Sequence, residues 1–399
     1  MALRQHAANK RPAALANVLD RRIGNEAIVS GATNTFDCEF TLALNNRTGK
    51  YFFCKEMIES SADLIASCLY WRFPMKRLPS RTVSRLLGRA ARLEVELRSE
   101  TSFLNRVLPP SSHRRPIIFT DPRECIFYRL KQSDIVICHD MGPVTHPELY
   151  DPGVKHLYET IFRQIQLAQP HMIFVSEASR SDFIARCGND YPLLEVVHPP
   201  LRNGMKDSTI RAVDSVPQKY LLTVGSIGAR KNQMRSIQAF AASGLAGAGY
   251  AYVICGGPEP GAEPVVDMAR RTPGVILPGY VDDAELRWLY RNALGFILPS
   301  LLEGFGLPAA EAIYHGLVPL LSRGGALQEV AGDSAIYIDP LDVADIAAGM
   351  VTLAGLTREE RDRRLEQSLL SIDRFSPETA ATRWRAALLQ AASAGKRPG

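Results

Sequence analysis

This sequence lacks the patterns that mark several specialised classes of protein. Its seven cysteines form an odd number and contain no C-x-x-C pair, so neither a disulfide framework nor a zinc knuckle is indicated, and a reducing cytosol fits best. The formal net charge of +5 over 399 residues is too small for a dedicated nucleic-acid binder, and no nucleic-acid partner is expected. A charge-free run from Ser236 to Pro258 is interrupted by glycines, and residues 1–22 contain no apolar core of signal-peptide length. We therefore expect neither a transmembrane helix nor a secretory signal.

What is present indicates a protein of two α/β domains. Hydrophobic residues make up 46% of the chain and charged residues 22%, and the length suits two globular domains. Short apolar runs alternate with segments of helical periodicity, which is typical of βα units that form parallel sheets. The first series of predicted strands comprises Glu39 to Leu44, Pro116 to Phe119, Ile135 to Cys138, Met172 to Val175 and Leu194 to His198. The second comprises Tyr220 to Val224, Tyr250 to Cys255, Val275 to Leu277, Leu294 to Pro299, Val318 to Leu321 and Ala335 to Ile338.

The pattern predicts two Rossmann-like βαβ domains that face a central cleft. A polar stretch with Gly204 and Pro217 separates the two strand series. Ser376 and Pro377 begin a last helix as N-cap and first helical residue. The predicted division is an N-terminal extension (1–36), a first domain (37–205), a linker (206–218), a second domain (219–375) and a C-terminal helix (376–399) that packs back toward the first domain.

One strand-loop-helix segment of the second domain carries the clearest chemical signal. After the predicted strand Leu294 to Pro299, a glycine-rich loop leads to a helix that Pro308 opens. Backbone N–H groups at the start of this helix are suited to bind an anion, and glycine allows the ligand a close approach. These groups belong to Gly304, Phe305, Gly306 and Leu307. Glu303 and Glu311 flank the turn, and carboxylates beside a phosphate site bind sugar hydroxyls rather than the phosphate, because like charges repel.

Here the sequence resembles the retaining glycosyltransferases of family four, which have the GT-B fold. Their signature is two glutamates separated by seven residues around a Gly-Phe-Gly turn, and Glu303-Gly-Phe-Gly-Leu-Pro-Ala-Ala-Glu311 matches it in spacing and neighbours. The resemblance runs from Tyr220 to Met350 and covers most of the second domain. It implies that Glu303 contacts the transferred sugar and that Glu311 hydrogen-bonds the ribose of a nucleotide-sugar donor.

The same resemblance assigns further residues to the donor. Arg230-Lys231-Asn232 follows the turn that begins at Gly225, and the resemblance implies that Lys231, together with Arg230, neutralises the departing diphosphate. Many members place an arginine directly after that glycine, where this chain has Ser226. The segment Pro278-Gly279-Tyr280-Val281 also matches the family, which assigns Tyr280 and Val281 to the donor pocket.

The first domain matches less closely. His139 and Asp140 end a strand in the polar pair that the family turns toward the donor sugar, and His139 is the predicted sugar contact from this domain. Ser176 resembles the family's strand-to-helix turn, and it also suits a plain helix N-cap. Gly49 and Lys50 resemble the glycine loop near the start of these enzymes, on the acceptor side of the cleft.

Positive charge is concentrated in one segment of the first domain. From Trp71 to Arg98 there are eight basic and two acidic residues, a net charge of +6 that exceeds that of the whole chain. Four arginines recur at helical spacing beside an apolar stripe, a pattern typical of a helix in an anionic membrane interface. They are Arg81, Arg85, Arg89 and Arg92. The alternative is a solvated surface helix whose apolar side faces the domain core.

Together these features predict a retaining, metal-independent hexosyltransferase. By resemblance it transfers mannose from GDP-mannose to a lipid-linked or oligosaccharide acceptor in lipopolysaccharide or exopolysaccharide synthesis, at the inner face of the cytoplasmic membrane. No cofactor is expected, and the chain has no D-x-D triplet of the kind that holds Mg²⁺ or Mn²⁺ in metal-dependent glycosyltransferases. One alternative is a nucleotide-binding oxidoreductase, because Gly304 to Ala309 also reads as G-x-G-x-x-A with Glu329 about 20 residues on. The other is a catalytically silent glycosyltransferase-like binding protein.

Overall fold

The protein contains one largely parallel and one fully parallel sheet, each covered by helices. The computed structural model describes residues 35–45, 49–75, 78–100, 109–202, 205, 207–279 and 281–394. Within these ranges the chain forms one seven-stranded and one six-stranded sheet. The two sheets follow one another along the chain, which confirms the predicted α/β architecture of two Rossmann-like domains.

The first sheet belongs to the N-terminal half of the described chain. Its strands are β1 (Phe36–Glu39), β2 (Ile65–Tyr70), β3 (Phe73–Pro74), β4 (Ile117–Phe119), β5 (Ile135–Cys138), β6 (His171–Phe174) and β7 (Leu194–Val196). They are ordered β3-β2-β1-β4-β5-β6-β7, and all neighbours are parallel except β2 and β3. The fully buried strands β5 and β6 are apolar, apart from His171 at the start of β6, because helices cover both faces of the sheet.

The second sheet is entirely parallel. Its strands are β8 (Tyr220–Val224), β9 (Ala251–Cys255), β10 (Val275–Ile276), β11 (Gly295–Leu298), β12 (Pro319–Ser322) and β13 (Ile336–Ile338). They are ordered β10-β9-β8-β11-β12-β13, so the chain reverses its direction of growth between β8 and β11. Ligands of open α/β sheets bind at such a switch point, beyond the carboxyl ends of the strands.

Helices connect the strands of both domains. In the first domain they are α1 (Leu42–Asn45), α2 (Gly49–Ser60), α3 (Arg81–Glu100), α4 (Gly142–Thr145), α5 (Pro152–Ala168) and α6 (Glu177–Cys187). The remainder are α7 (Gln233–Ala242), α8 (Glu263–Arg271), α9 (Asp283–Asn292), α10 (Leu307–Tyr314), α11 (Gly325–Ala331), α12 (Val343–Gly355), α13 (Arg358–Ser371) and α14 (Pro377–Ala394). No helix in the described part of the chain is both long and apolar enough to cross a membrane.

One predicted strand is wrong, and the adjoining hairpin was not predicted. The apolar run from Glu39 to Leu44 leaves the sheet after Glu39 and turns into α1, where the Glu124 carboxylate accepts a hydrogen bond from the Leu42 backbone at 2.9 Å. The turn between β2 and β3 has φ values of 53° at Trp71 and 70° at Arg72, a conformation that glycine or asparagine usually supplies. The Glu39 carboxylate accepts both backbone N–H groups of this turn, at 3.0 and 3.2 Å. Contacts that are distant in sequence therefore stabilise both features, and the other predicted strands are present within two residues at either end.

The last helix connects the end of the chain to the first domain. The Ser376 hydroxyl caps α14 by accepting the Thr379 backbone N–H at 3.1 Å. Trp384 is fully buried, and its indole N–H donates to the Ser61 hydroxyl at 3.0 Å, just beyond α2. Arg385 adds a bidentate pair with Asp63, at 2.7 Å for both contacts.

Candidate active site

The loops after β8 and β9 lie side by side and form one wall of the candidate site. Ladder hydrogen bonds continue beyond the strands, from Gly225 to Cys255 at 3.0 Å and from Ile227 to Gly257 at 2.9 Å. A Cβ atom at Gly256 would lie 1.8 Å from the Gly225 carbonyl oxygen, so this crossing requires glycine. Gly225 therefore begins a turn that lies against the loop after β9 and leads to Arg230 and Lys231.

Lys231 and Arg230 lie at the carboxyl end of β8. A short 3₁₀ helix, Ala229–Lys231, carries them, and Asn232 anchors it by donating to the carbonyls of Pro299 and Pro340 at 3.0 and 2.7 Å. Lys231 is only 7% exposed, and burial lowers the pKa of its ammonium. The pair of cations is thus held rigidly next to the loop that follows β11.

Glu303 on that loop joins the two cations. Its Oε1 lies 2.5 Å from Lys231 Nζ and accepts the Ser300 hydroxyl at 2.7 Å, while its Oε2 lies 3.5 Å from Arg230 Nη1. Burial would raise the pKa of Glu303, but Lys231 and Arg230 outweigh that effect and lower it. The structure therefore brings together three of the residues that sequence reasoning selected, as an ionised cluster.

The start of α10 lies directly after this cluster. Gly306 has a φ of 96°, and a Cβ there would lie 2.6 Å from Leu327 Cδ2. A Cβ at Gly304 would lie 2.2 Å from the His139 carbonyl oxygen, so the loop touches the first domain where only glycine fits. The Phe305 ring is buried against His198 and Phe375, with centroids 5.7 and 5.1 Å apart. Phe305 can therefore offer a donor its backbone but not its ring.

Glu311 faces inward from α10 and is only 1% exposed. Its carboxylate receives Arg202 Nε at 2.6 Å on Oε1 and Arg202 Nη2 at 2.9 Å on Oε2. The Tyr290 hydroxyl donates to Oε2 at 2.9 Å. The attraction of Glu311 outweighs the burial of Arg202 and raises the pKa of the guanidinium. Sequence reasoning missed both partners, because neither stands at a spacing that links it to the glutamate motif.

His139 lies on the opposite wall, at the end of β5. Its Nε2 lies 2.8 Å from the Thr120 carbonyl oxygen, so Nε2 carries the proton and donates. Burial lowers the pKa of His139 to about 4, and the Phe53 ring packs edge-on against it at 6.2 Å. At neutral pH the ring is uncharged, and Nδ1 is the nitrogen with an acceptor lone pair.

Lys50 connects Asp140 to a buried carboxylate below it. Its Nζ lies 3.6 Å from Asp140 Oδ2 and 3.7 Å from Asp121 Oδ2. Burial raises the pKa of Asp140, but Lys50 and Arg230 outweigh this and lower it, so the second-domain cation acts across the cleft. A Cβ at Gly49 would lie 3.8 Å from Leu307 Cδ2, which places the start of α2 opposite the start of α10.

Ser176 is the N-cap of α6, as its sequence context suggested, and it also contacts the second domain. Its hydroxyl caps α6 by accepting the Ser179 N–H at 3.1 Å, and it also donates to the Gly304 carbonyl at 2.6 Å. A side chain of the second domain also caps the start of α6, because Glu329 accepts the Glu177 N–H at 2.9 Å. His198 Nε2 lies 2.6 Å from the same carboxylate. Glu329 is thus engaged between the domains, by the backbone at the start of α6 and by His198.

Two groups of predicted residues are not part of this cluster, and one further predicted residue is not described. Tyr280 lies outside the described residues. Val281 is half-buried just before α9, where it packs against the core of the domain. The four arginines Arg81, Arg85, Arg89 and Arg92 belong to α3, on the first domain. A further residue that sequence reasoning missed is Tyr150, whose hydroxyl would be 2.3 Å from a Cβ at Gly142, at the Asp140 turn.

Comparison with known proteins agrees with the geometry of the second domain. The family described as Glycosyl transferases group 1 matches residues 207–367. The chain is 29% identical to O-antigen chain mannosyltransferase B of Escherichia coli over 245 residues, which cover 58% of this chain and 63% of that protein. It is 27% identical to the serotype-specific mannosyltransferase WbdA of Escherichia coli over 258 residues, which cover 59% of this chain and 31% of WbdA. The chain thus spans less than two-thirds of the length of these relatives.

Solved structures share the fold of most of the chain. The alpha,alpha-trehalose 6-phosphate synthase of Burkholderia multivorans superposes with a TM-score of 0.57 at 15% identity, over 89% of this chain and 84% of that one. The sucrose-phosphate synthase of Thermosynechococcus elongatus gives a TM-score of 0.52 at 17% identity, over 70% and 74%. Residues 207–367 therefore match the glycosyl transferases group 1 family, in a chain that has the two-domain GT-B fold and resembles bacterial O-antigen mannosyltransferases.

Proposed function

We propose that this protein is a retaining glycosyltransferase that moves mannose from GDP-mannose to a lipid-linked or oligosaccharide acceptor during synthesis of a cell-surface polysaccharide. The observation that carries the proposal is the Lys231–Glu303–Arg230 cluster beside the start of α10. From the other domain, the His139 backbone touches Gly304 of the adjoining loop, and the charge of Asp140 interacts with that of Arg230. Mannose as the sugar is supported by the names of the relatives, which are O-antigen mannosyltransferases.

The chemistry proposed for the cluster is stabilisation of a leaving diphosphate. When the bond between the anomeric carbon and the phosphate oxygen breaks, negative charge grows on the diphosphate. Lys231, Arg230 and the N–H groups at the start of α10 are preorganised cations and dipoles that favour this charge. In this proposal these groups stabilise the diphosphate without a divalent metal, so donor cleavage should continue in excess EDTA. Rates that return only on addition of Mg²⁺ or Mn²⁺ would contradict this part of the proposal.

The remaining groups are proposed to hold the sugar and the acceptor. Glu303 accepts hydrogen bonds from sugar hydroxyls, and His139 accepts one at Nδ1, because its Nε2 proton is engaged by Thr120. No side chain is assigned as a nucleophile. The acceptor oxygen bonds to the anomeric carbon on the face that the diphosphate leaves, and its proton passes to the departing phosphate oxygen. Lys50, Asp140 and Ser176 lie on the acceptor side of the cleft.

Donor identity is tested by protection against thermal unfolding. A ligand that binds the folded state alone, at about 100 times its Kd, adds about 2.7 kcal/mol to the free energy of unfolding. GDP-mannose should therefore raise the Tm, while UDP- and dTDP-sugars at the same concentration should not. Protection by a UDP-sugar instead would refute the donor assignment. Protection without any sugar transfer would favour the silent binding protein.

We also propose that α3 rests on the anionic inner face of the cytoplasmic membrane. Several of its apolar side chains point outward rather than into the domain core: Val83, Leu86, Leu93 and Leu97. Leu86 is 61% exposed and Leu93 is 56% exposed. Arg85, Arg89 and Arg92 are also exposed and lie beside this stripe, whereas Glu94 and Arg98 face inward. An exposed apolar stripe flanked by cations complements an anionic lipid surface, and it argues against the solvated surface helix.

Vesicle binding tests this surface. Charge reversal at Arg85 and Arg89 should reduce co-sedimentation with phosphatidylglycerol vesicles, and added salt should reduce the binding of the unmodified protein. Charge reversal at Arg270 and Arg271, exposed residues of α8 in the second domain, provides the matched control. Equal loss in both double variants would show that only net charge matters and would refute the assignment to α3.

A further inference from the structure

Arg202 lies on the segment that leaves β7 for the second domain, yet its side chain reaches Glu311 of α10. Leu201, its neighbour, donates its backbone N–H to the Phe375 carbonyl at 2.8 Å, which fixes this segment against the second domain. The guanidinium then meets Glu311 through two parallel hydrogen bonds of 2.6 and 2.9 Å. A residue of the interdomain segment therefore contacts the carboxylate proposed to bind the ribose.

The geometry of this pair suits positioning rather than simple charge balance. A carboxylate offers about four acceptor positions. Arg202 takes one position on each oxygen and Tyr290 takes a second on Oε2, so one position on Oε1 remains for a ligand. Because a planar guanidinium binds both oxygens at once, it fixes the rotation of the carboxylate as well as its place. A lysine at this position would supply the charge but not the orientation.

Burial makes the partner necessary. Glu311 is 1% exposed, and a buried carboxylate without a cation is costly. The Arg202 side chain is 26% exposed, so the guanidinium side of the pair is open to solvent while the carboxylate is buried. The guanidinium thus provides the counter-charge next to the buried carboxylate and fixes its orientation.

We propose that Arg202 is a positioning residue of the donor site, which holds Glu311 in the orientation that accepts a hydrogen bond from the nucleotide ribose. This rests on the proposed function, in which Glu311 binds that ribose. Because Arg202 belongs to the interdomain segment, the same contact couples nucleotide affinity to the placement of this segment.

The test compares the affinity for GDP with that for 2′,3′-dideoxy-GDP, measured by calorimetry on the full chain. The unmodified protein should prefer GDP by about tenfold or more, as expected for a hydrogen bond to a charged group. In Arg202→Met the preference should fall toward one, because Glu311 remains present but is no longer oriented. Arg202→Lys should lower it several-fold. The control is Arg385→Met, which breaks a bidentate arginine–carboxylate pair far from the pocket and should keep the full preference.

Glu311→Gln separates this inference from the proposed function. If Glu311→Gln loses the preference while both Arg202 variants keep it, Arg202 has no positioning role and the inference is wrong, although the ribose role stands. If Glu311→Gln keeps the preference, Glu311 does not bind the ribose and the proposed function fails at this point. Should Arg202→Met fail to fold, Arg202→Lys decides the question, because it keeps the charge, and a preference equal to that of the unmodified protein overturns the inference.

Discussion

Replacing Lys231 by methionine should nearly abolish sugar transfer while leaving most molecules folded. Lys231 Nζ lies 2.5 Å from Glu303 Oε1, and breaking a buried ion pair by removing one partner costs roughly 3–5 kcal/mol of stability. Ser300 at 2.7 Å and Arg230 at 3.5 Å still contact Glu303, so we expect the lower end of that range, about 3 kcal/mol. The decrease in kcat should be more evident than the decrease in stability. Removing one preorganised group from a developing oxyanion lowers kcat by about 10²–10³.

The assay is GDP release from GDP-mannose in a single turnover, with urea unfolding of the same preparations. Lys55→Met is the matched control, because Lys55 pairs with Glu59 at 2.9 Å on the exposed side of α2. The double variant Lys231→Met/Glu303→Gln removes both charges, so it should regain stability without regaining activity. Release within about twofold of the unmodified rate in Lys231→Met would refute the diphosphate role of Lys231.

Three further predictions concern pH, domain contact and loop geometry. Burial lowers the pKa of His139 to about 4 from an ordinary 6.5. The pKa is lower in the folded state, so the free energy of unfolding is fully present above pH 6.5, where His139 is neutral in both states. It decreases by about 3 kcal/mol as the pH falls from about 6.5 to about 4. Urea unfolding across this range should show a smaller acid loss in His139→Gln, and an identical loss would contradict the burial argument. Glu329→Gln weakens the carboxylate cap between the domains, so kcat should fall. The affinity for GDP, which the second domain binds, should stay the same. A lower affinity for GDP would show that the cap shapes the donor pocket. Gly256→Ala should lower the Tm strongly, because its Cβ would meet the Gly225 carbonyl at 1.8 Å, whereas Gly257→Ala has open space and should not; equal Tm values would disprove this close approach.

The second domain was predictable from sequence because its signals are local. Each of its strands is a short apolar run between turn residues, and Glu303, Lys231 and Arg230 follow strands whose carboxyl ends meet at one edge of the sheet. Proximity of these side chains therefore follows from topology alone. What topology does not reveal is their ionic pairing, which depends on distances within a loop.

The parts that sequence did not predict depend on contacts between distant segments. The helical turn α1 replaces a predicted strand because Glu124, 82 positions from Leu42, accepts its backbone N–H. The Trp71–Arg72 turn has no glycine or asparagine to announce it, and Glu39 satisfies its backbone. Arg202 reaches Glu311 across 109 positions. Hydrophobic periodicity and motif spacing reflect relations between residues of one element. Contacts between distant segments therefore cannot be predicted from them.

The stereochemistry of GDP-mannose cleavage tests the central claim most directly. Without an acceptor, a glycosyltransferase slowly transfers its sugar to water, and ¹H NMR identifies the anomer of mannose that appears first. GDP-mannose has an α linkage, so a retaining enzyme should form α-mannose before mutarotation, at a rate that Lys231→Met reduces by about 10²–10³. β-Mannose as the first product, or cleavage that Lys231→Met leaves unchanged, would contradict the proposed function.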